Sequence, residues 1–437
     1  MERKILKWGI IFILSLLLMV TGCQSDSSTN EEKQKSANGE GEQNQEEEVT
    51  LKLWWPGQNY VADAISGIVE DFENENPNIN IEYEAVPWGE YFQKLSVGYA
   101  GGNAPDIHGL GYGQLMYTVV QEQYADLNQF IEQDNWDGKE DIFPDILESG
   151  QWNGGQYGLL FPDIRVLFYR KDYFEEAGLD PEQPPQTVEE LYEYARQLAI
   201  IDESGTTTRG GIDIPVQNGE QAFYSLLLLH DQAHMYEENG DPLYDSDTSK
   251  QLLSDLVDLY NDGAIIPSNN LQLEGSPFQN GQSAMAFTSP QIVEAMGDSI
   301  DLENIGWTLP PEGPNGTQTS LSMGTFVAMN DSTEYQEEAW EFIKFWFEPD
   351  NLLKFSEEAG YLIPRKSMEE EFKNLSPYNE VVFEAMKDSG GFRASEHWNL
   401  NVEHLRLALE EAYSDVREPG ESLEFQADQV RQELGLE

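Results

Sequence analysis

Apolar residues run almost unbroken through positions 8–20, behind basic Arg3, Lys4 and Lys7 and ahead of Thr21-Gly22-Cys23. A bilayer-spanning helix needs about 20 apolar residues, so this shorter run predicts the core of a cleaved export signal rather than a permanent anchor. Residues 24–48 are almost entirely Gln, Ser, Asn, Glu, Lys, Asp, Thr and Gly. Such a stretch buries too little apolar surface to offset the entropy of ordering, and it reads as a flexible spacer. From there the pattern changes. Val49, Leu51, Leu53 and Trp55 alternate with Thr50, Lys52 and Trp54, which predicts a strand ended by Pro56-Gly57. Ala64, Ile68, Val69 and Phe72 keep helical spacing until Asn76-Pro77, after which Ile79, Ile81, Tyr83 and Ala85 alternate again. The three pieces form one βαβ unit. A short strand is predicted at 106–110, and Thr187 with Glu190 forms a Thr-x-x-Glu cap for a helix whose apolar face is Leu191, Tyr194, Ala195 and Leu198. Helices at 252–260 and 337–347 continue the alternation, which implies an α/β protein with mainly parallel sheets flanked by helices. Residues 49–437 exceed what a single core usually serves, so two lobes are expected.

Composition narrows the partners. With 24 Lys+Arg against 81 Asp+Glu the chain carries a net charge of −57. A field of that sign repels nucleic acid and anionic lipid headgroups, and no basic stripe is present to neutralise phosphates. The acidity suits saline surroundings, where the Debye length shrinks to about 3 Å near 1 M salt, or else reflects ordinary acidic drift. Cys23 is the sole cysteine, so no disulfide forms within the chain. Val20-Thr21-Gly22-Cys23 resembles the bacterial lipobox, in which the signal is removed and the new N-terminal cysteine is lipidated. The segment 1–22 is then a lipoprotein signal peptide and 23–48 a lipidated cysteine with its tether. The expected address is the extracytoplasmic face of a cell membrane, most simply that of a Gram-positive bacterium.

The order of later segments resembles the extracellular solute-binding proteins of sugar ABC transporters, the maltose-binding-like family. Leu51-Lys52-Leu53-Trp54, Phe72-Glu73-Asn74-Glu75-Asn76-Pro77 and Ala100-Gly101-Gly102-Asn103-Ala104-Pro105-Asp106-Ile107 carry the first part of the resemblance. Tyr157-Gly158-Leu159-Leu160-Phe161-Pro162, Leu167-Phe168-Tyr169-Arg170-Lys171-Asp172-Tyr173-Phe174, Phe278-Gln279-Asn280-Gly281-Gln282-Ser283-Ala284-Met285, Ala339-Trp340-Glu341-Phe342-Ile343-Lys344-Phe345 and Gly360-Tyr361-Leu362-Ile363-Pro364 carry the rest. The resemblance implies two α/β lobes joined by hinge strands around a ligand cleft. One lobe would comprise 49–162 plus 310–350, the other 163–309 plus 351–437, with crossings near Phe161-Pro162, Thr308-Leu309-Pro310 and 348–351. It also implies a monomeric receptor that hands a saccharide to an ABC permease.

A neutral sugar offers hydroxyls to polar groups and flat C–H faces to aromatic rings. Trp55, Gln58 and Asn59 follow the first strand at the carboxyl end, where open α/β sheets bind ligands. Trp55 equally continues the apolar face of that strand, and Gln58 and Asn59 are uncharged where the maltose-binding protein uses charged contacts. Trp88 precedes a helix at the same edge. Tyr112 and Gln114 stand in a glycine-flanked loop, whereas Asp106, at a strand start, is assigned to the fold. Asp163 and Arg165 share one face of a strand after Pro162, suited to adjacent hydroxyls or to pairing with each other. The resemblance adds Gln291, where relatives often carry a stacking Trp whose role passes to Phe287 or is lost. It also adds Gly324 and Thr325 in a backbone-presenting loop, and Trp398 as a stacking ring.

Two rival classes remain in view. A secreted glycoside hydrolase would use two carboxylates roughly 5–10 Å apart, and a wall-associated interaction lipoprotein would need neither hinge prolines nor cleft aromatics. No Gly-x-Ser-x-Gly or His-Glu-x-x-His motif occurs, and His230 with His234 lacks an evident third ligand, so no enzyme, no metal and no cofactor is expected.

Overall fold

The structure, a computed structural model, describes residues 48–436 apart from 58, 112, 215–218, 232–233, 267–275, 291–292, 294–295, 297–300 and 393–394; for 59, 60 and 116 it describes the backbone only. The chain begins with the expected βαβ unit. Strand β1 (Val49–Pro56) pairs in parallel with β2 (Ile79–Val86), in a register running from Val49↔Ile79 to Pro56↔Val86, and helix α1 (Asn59–Glu75) connects them. The helix buries Val61, Ala64, Ile65, Ile68, Val69 and Phe72 at the spacing read from sequence. Helix α2 (Trp88–Gly101) stops at Gly102, whose φ of 68° supplies the left-handed cap that glycine adopts without a Cβ penalty. Strand β3 (Ile107–Gly111) then joins β1 in parallel, and helix α3 (Gln114–Val119) follows. Asp106 serves the fold: its carboxylate accepts from the Lys52 N–H at 2.8 Å and the Thr333 hydroxyl at 2.5 Å.

Strand β4 (Leu159–Arg170) is twelve residues long and belongs to both halves of the molecule. Leu159, Leu160 and Phe161 join the first apolar core, whereas Leu167 and Tyr169 join the second. Helix α4 (Val188–Leu198) carries the expected cap, with the Glu190 N–H donating to Thr187 Oγ1 at 3.2 Å. It packs in the second core with α5 (Glu220–Leu228) and α6 (Asp247–Asn261). Strands β5 (Met285–Thr288) and β6 (Ile305–Thr308) both run antiparallel to β4. Strand β7 (Ser320–Met329) is antiparallel to β4 and to β3, which closes one mixed sheet in the order β6-β4-β7-β3-β1-β2. The expectation of mainly parallel sheets is therefore right for β2-β1-β3 and wrong where β4 joins β5, β6 and β7.

The crossings also differ from those read in the sequence. The return runs within β7, whose Leu321 and Met323 lie in the second core and Phe326 to Met329 in the first. Thr308 is still paired with Leu167. Helices α7 (Gln336–Trp346), α8 (Pro349–Ala359) and α9 (Asn379–Lys387) all pack in the first core, through Trp346, Phe355 and Phe383 among others. Pro349 opens α8 as its first residue, a position where its missing N–H costs nothing. The stretch 348–351 is thus a helix start, and residues 351–387 lie with the first core although the sequence reading placed them in the second lobe. The last crossing comes at β8 (Ser389–Gly390), beside Ser320 and Leu321 of β7, before α10 (Trp398–Tyr413) and α11 (Pro419–Leu434) complete the second core.

Trp55 is the clearest correction among the site residues. It is 0% exposed, 4.8 Å from the Trp346 ring and edge-on to Phe161 at 5.8 Å. The alternation that put it on the apolar face of β1 carried it into the core. We expect Trp55→Ala to lower the unfolding free energy by about 3–5 kcal/mol in denaturant melts, the usual cost of deleting a buried indole.

His108 yields a second prediction. Its ring is wholly buried on β3, with Nε2 2.7 Å from the Tyr99 hydroxyl, and burial pushes its pKa down to about 3. Below pH 6.5 the unfolded imidazole takes up a proton that the folded one refuses. Stability is therefore complete above pH 6.5 and is lost progressively as pH falls toward 3. Relative to His108→Gln, the wild type should lose about 1.4 kcal/mol per pH unit across that window in urea melts.

Candidate ligand-binding cleft

The open space between the two cores is a cleft of about 870 Å³, within the usual size range of small-molecule sites. Its floor is the pair of strands that cross between the cores. Pro162 of β4 stands opposite Gly324 of β7. Gly324 has φ +147°, and a Cβ there would lie 2.2 Å from the Phe161 carbonyl oxygen, so only glycine fits. Beside it, the Thr325 hydroxyl lies 3.3 Å from the Tyr361 hydroxyl, and both residues line the cleft. Gly324 and Thr325 are thus where the sequence reading put them, although in a strand rather than a loop.

The alternation of β4 brings Asp163 and Arg165 to the same face, and both line the cleft while pairing with each other at 2.9 Å. The mutual salt bridge weighed from sequence is present, and it does not keep the pair out of the cleft lining. Asp163 Oδ1 and Arg165 Nε are buried with no hydrogen-bond partner among the described residues. A second ion pair comes from the other wall. Glu220, in the first turn of α5 and 2% exposed, accepts from Arg406 of α10 through both oxygens, at 2.9 and 2.5 Å. That carboxylate holds the Arg406 guanidinium above its ordinary range even against partial burial.

Aromatic faces complete the lining. Trp88, at the start of α2, is 39% exposed and leans on Tyr91 and Phe92. Trp398, at the start of α10, lies so close to Gly113 that a Cβ there would be 2.0 Å from its ring. Next to that contact the Gln114 amide donates to Asn399 Oδ1 at 3.3 Å, so the walls touch across the mouth. Trp88, Gln114, Asp163, Arg165, Gly324, Thr325 and Trp398 are therefore brought together. Trp55 is not. Gln58, Tyr112 and Gln291, the side chain of Asn59, and Cys23 lie outside the described residues. Phe287 lines a separate, smaller cavity of the second lobe.

Sequence reasoning missed Glu220, Gln221, Tyr361, Asn399 and Arg406. Tyr361 belongs to a segment that carried the resemblance, and Asn399 adjoins Trp398, so both were within reach. Glu220 and Arg406 are 186 residues apart, and among so many acidic residues nothing local distinguishes Glu220. No group of three or more His, Cys, Asp or Glu among the described residues is placed to hold a metal ion.

Comparison with known proteins places this architecture. A Listeria monocytogenes ABC substrate-binding protein, solved in complex with cycloalternan, superposes with a TM-score of 0.79 at 21% identity, over 89% of this chain and 100% of that one. A Thermotoga lettingae ABC transporter solute-binding protein, bound with α-D-tagatose, gives 0.78 at 21% identity, over 88% and 100%. Among curated proteins, a Brucella abortus binding protein is 25% identical over 297 residues, 67% of this chain and 70% of its own. The sn-glycerol-3-phosphate-binding periplasmic protein of Escherichia coli is 22% identical over 400 residues, 84% and 87% respectively. Residues 67–378 match the family described as bacterial extracellular solute-binding protein, and with most of its length inside that match the chain belongs to this family.

Proposed function

We propose that the protein is a membrane-tethered receptor that captures a neutral saccharide in the cleft between its lobes and delivers it to an ABC permease. The observation that carries this reading is the lining itself: indole faces from both walls, Trp88 and Trp398, around two carboxylate–guanidinium pairs. Rings suit the apolar faces of a sugar, and paired charges present donors and acceptors side by side to neighbouring hydroxyls.

The pairing also separates neutral from anionic solutes. The Escherichia coli relative is named for a phosphate ester, and an anion needs uncompensated positive charge. Here Arg165 and Arg406 each face a carboxylate, and Glu403 adds a further acid to the lining. Binding a phosphate would require breaking an ion pair or burying like charges together, whereas a polyol needs neither. The ligands of the structural neighbours support the saccharide class, since cycloalternan and α-D-tagatose are both uncharged carbohydrates. A hydrolase would need one carboxylate free to donate a proton and another to attack or activate water. Asp163 and Glu220 are instead engaged by arginine. In this reading Cys23 carries the lipid, residues 24–48 form the tether, and the receptor acts as a monomer.

Two measurements test the proposal. Trp398→Ala should weaken saccharide binding by about 2–4 kcal/mol in titration calorimetry, a hot-spot magnitude, with a smaller loss of stability than Trp55→Ala. Unchanged affinity would remove Trp398 from the site, and binding of sn-glycerol 3-phosphate in preference to every neutral sugar would overturn the saccharide reading. Cys23→Ala should move the protein from the membrane pellet to the soluble fraction without lowering its melting temperature. A variant that pellets as wild type does would refute lipid anchoring.

A further inference from the structure

At the rims of the cleft the two lobes touch directly. On one side stand Gly113 and Gln114, next to Leu115 of the first core; on the other stand Trp398 and Asn399, which open α10. The Trp398 indole is held by its own lobe. It packs on the second core and meets the buried Phe392 edge-on at 6.1 Å, and its backbone N–H donates to the Ser395 carbonyl at 3.2 Å.

Gly113 lies against the face of that ring. A Cβ built on it would fall 2.0 Å from Cε2 and 2.3 Å from both Cδ2 and Cζ2, three bonded atoms approached almost equally, as only a face-on approach allows. Any side chain at 113 would therefore overlap the indole. The local backbone does not ask for glycine, because the φ of Gly113 lies outside the left-handed region and Ala could adopt it. Gly111, two residues earlier, shows the contrast: a Cβ there would sit 3.5 Å from the Trp88 ring, in ordinary contact. What requires glycine at 113 is the close approach of the opposite lobe. Beside it the Gln114 amide donates to Asn399 Oδ1 at 3.3 Å, a second bond across the same rim.

These contacts are made by the protein alone and exist only while the lobes are together. A solute shifts an open–closed equilibrium by its differential affinity for the two forms, whereas a contact of this kind sets where the equilibrium stands before any solute arrives. We propose that Gly113 and Trp398 form a latch that populates the closed form of the ligand-free receptor, with Gly113 as a positioning residue that tunes affinity without choosing the solute. Apparent affinity scales with the fraction of protein in the binding-competent form, so the latch multiplies the affinity for every solute by one factor. It concerns the cleft whatever its occupant, and in that respect stands apart from the saccharide reading.

The test is single-molecule energy transfer on the full chain, labelled at Val97→Cys and Val416→Cys, exposed positions on opposite lobes, in a Cys23→Ala background that leaves no other cysteine. Without ligand, this parent should show a closed population that Gly113→Ala reduces about tenfold, with an equal loss of apparent affinity. Asn399→Ala removes the rim hydrogen bond without a clash and should reduce the closed population by a smaller factor, which keeps the test decisive if Gly113→Ala misfolds. In a Trp398→Ala background, Gly113→Ala should have no further effect, since the ring it would strike is gone; an undiminished effect there would overturn the latch. Identical ligand-free distributions in the parent, Gly113→Ala and Asn399→Ala would overturn it as well. Titration calorimetry with maltose, mannotriose, α-D-tagatose and cycloalternan gives the second readout. Gly113→Ala should weaken every sugar that binds by one common factor, whereas a loss confined to one sugar would make Gly113 a solute contact and refute the latch. If wild type binds none of the four, the saccharide reading fails, and the ligand-free measurement still decides the latch.

Discussion

The antiparallel pairing of β4 with β7 holds the molecule together, because these two strands pass through both apolar cores and everything else is attached to one side or the other. Their register sets Pro162 opposite Gly324 at the crossing. Proline brings no N–H to the ladder, and glycine alone tolerates the backbone that β7 adopts there. The sheet is continuous yet locally short of hydrogen bonding where the lobes meet. A few residues that absorb backbone rotation between two stiff bodies are the usual anatomy of a hinge.

Each lobe is tied together internally. In the first, the aromatic group of Trp55, Phe161, Trp346 and Phe355 ties β1, β4, α7 and α8 into one packed body. In the second, the Glu220–Arg406 pair staples α5 to α10, and Arg431 joins α11 to Asp241 and Asp245 on the approach to α6. Tyr378 packs edge-on against Phe168, a member of the same first core, and against Trp307 at its margin.

Much of the fold was legible because local signals and tertiary burial agree. The spacing of Ala64, Ile68, Val69 and Phe72 gave α1, and the Thr187–Glu190 box marked the start of α4. The chain crossings were less legible. Proline reads equally well as a linker and as the first residue of a helix, and Pro349 proved to be the second. The site divided along similar lines. Trp88, Asp163 and Arg165 stand at an element end or on an alternating strand face, where sequence predicts direction, while Trp398 came only from the resemblance. Trp55 obeyed its own alternation and went inward, so periodicity was the better guide than position at the carboxyl end of a strand. Glu220 and Arg406 meet only through tertiary folding, and in a chain with 81 acidic residues no pattern isolates the one that matters.

Gly324 and Thr325 take part both in the crossing between lobes and in the lining of the cleft. Their neighbours on β4, Asp163 and Arg165, do the same. The residues at the crossing between the lobes are therefore largely those that line the cleft. Ligand preference and mobility share one short stretch of backbone, so a lineage changing its diet would find it easier to alter the outer rims, at Trp88 and α10, than the floor. Divergence among relatives should then concentrate in the walls, with the floor drifting slowly because each change there alters recognition and movement together.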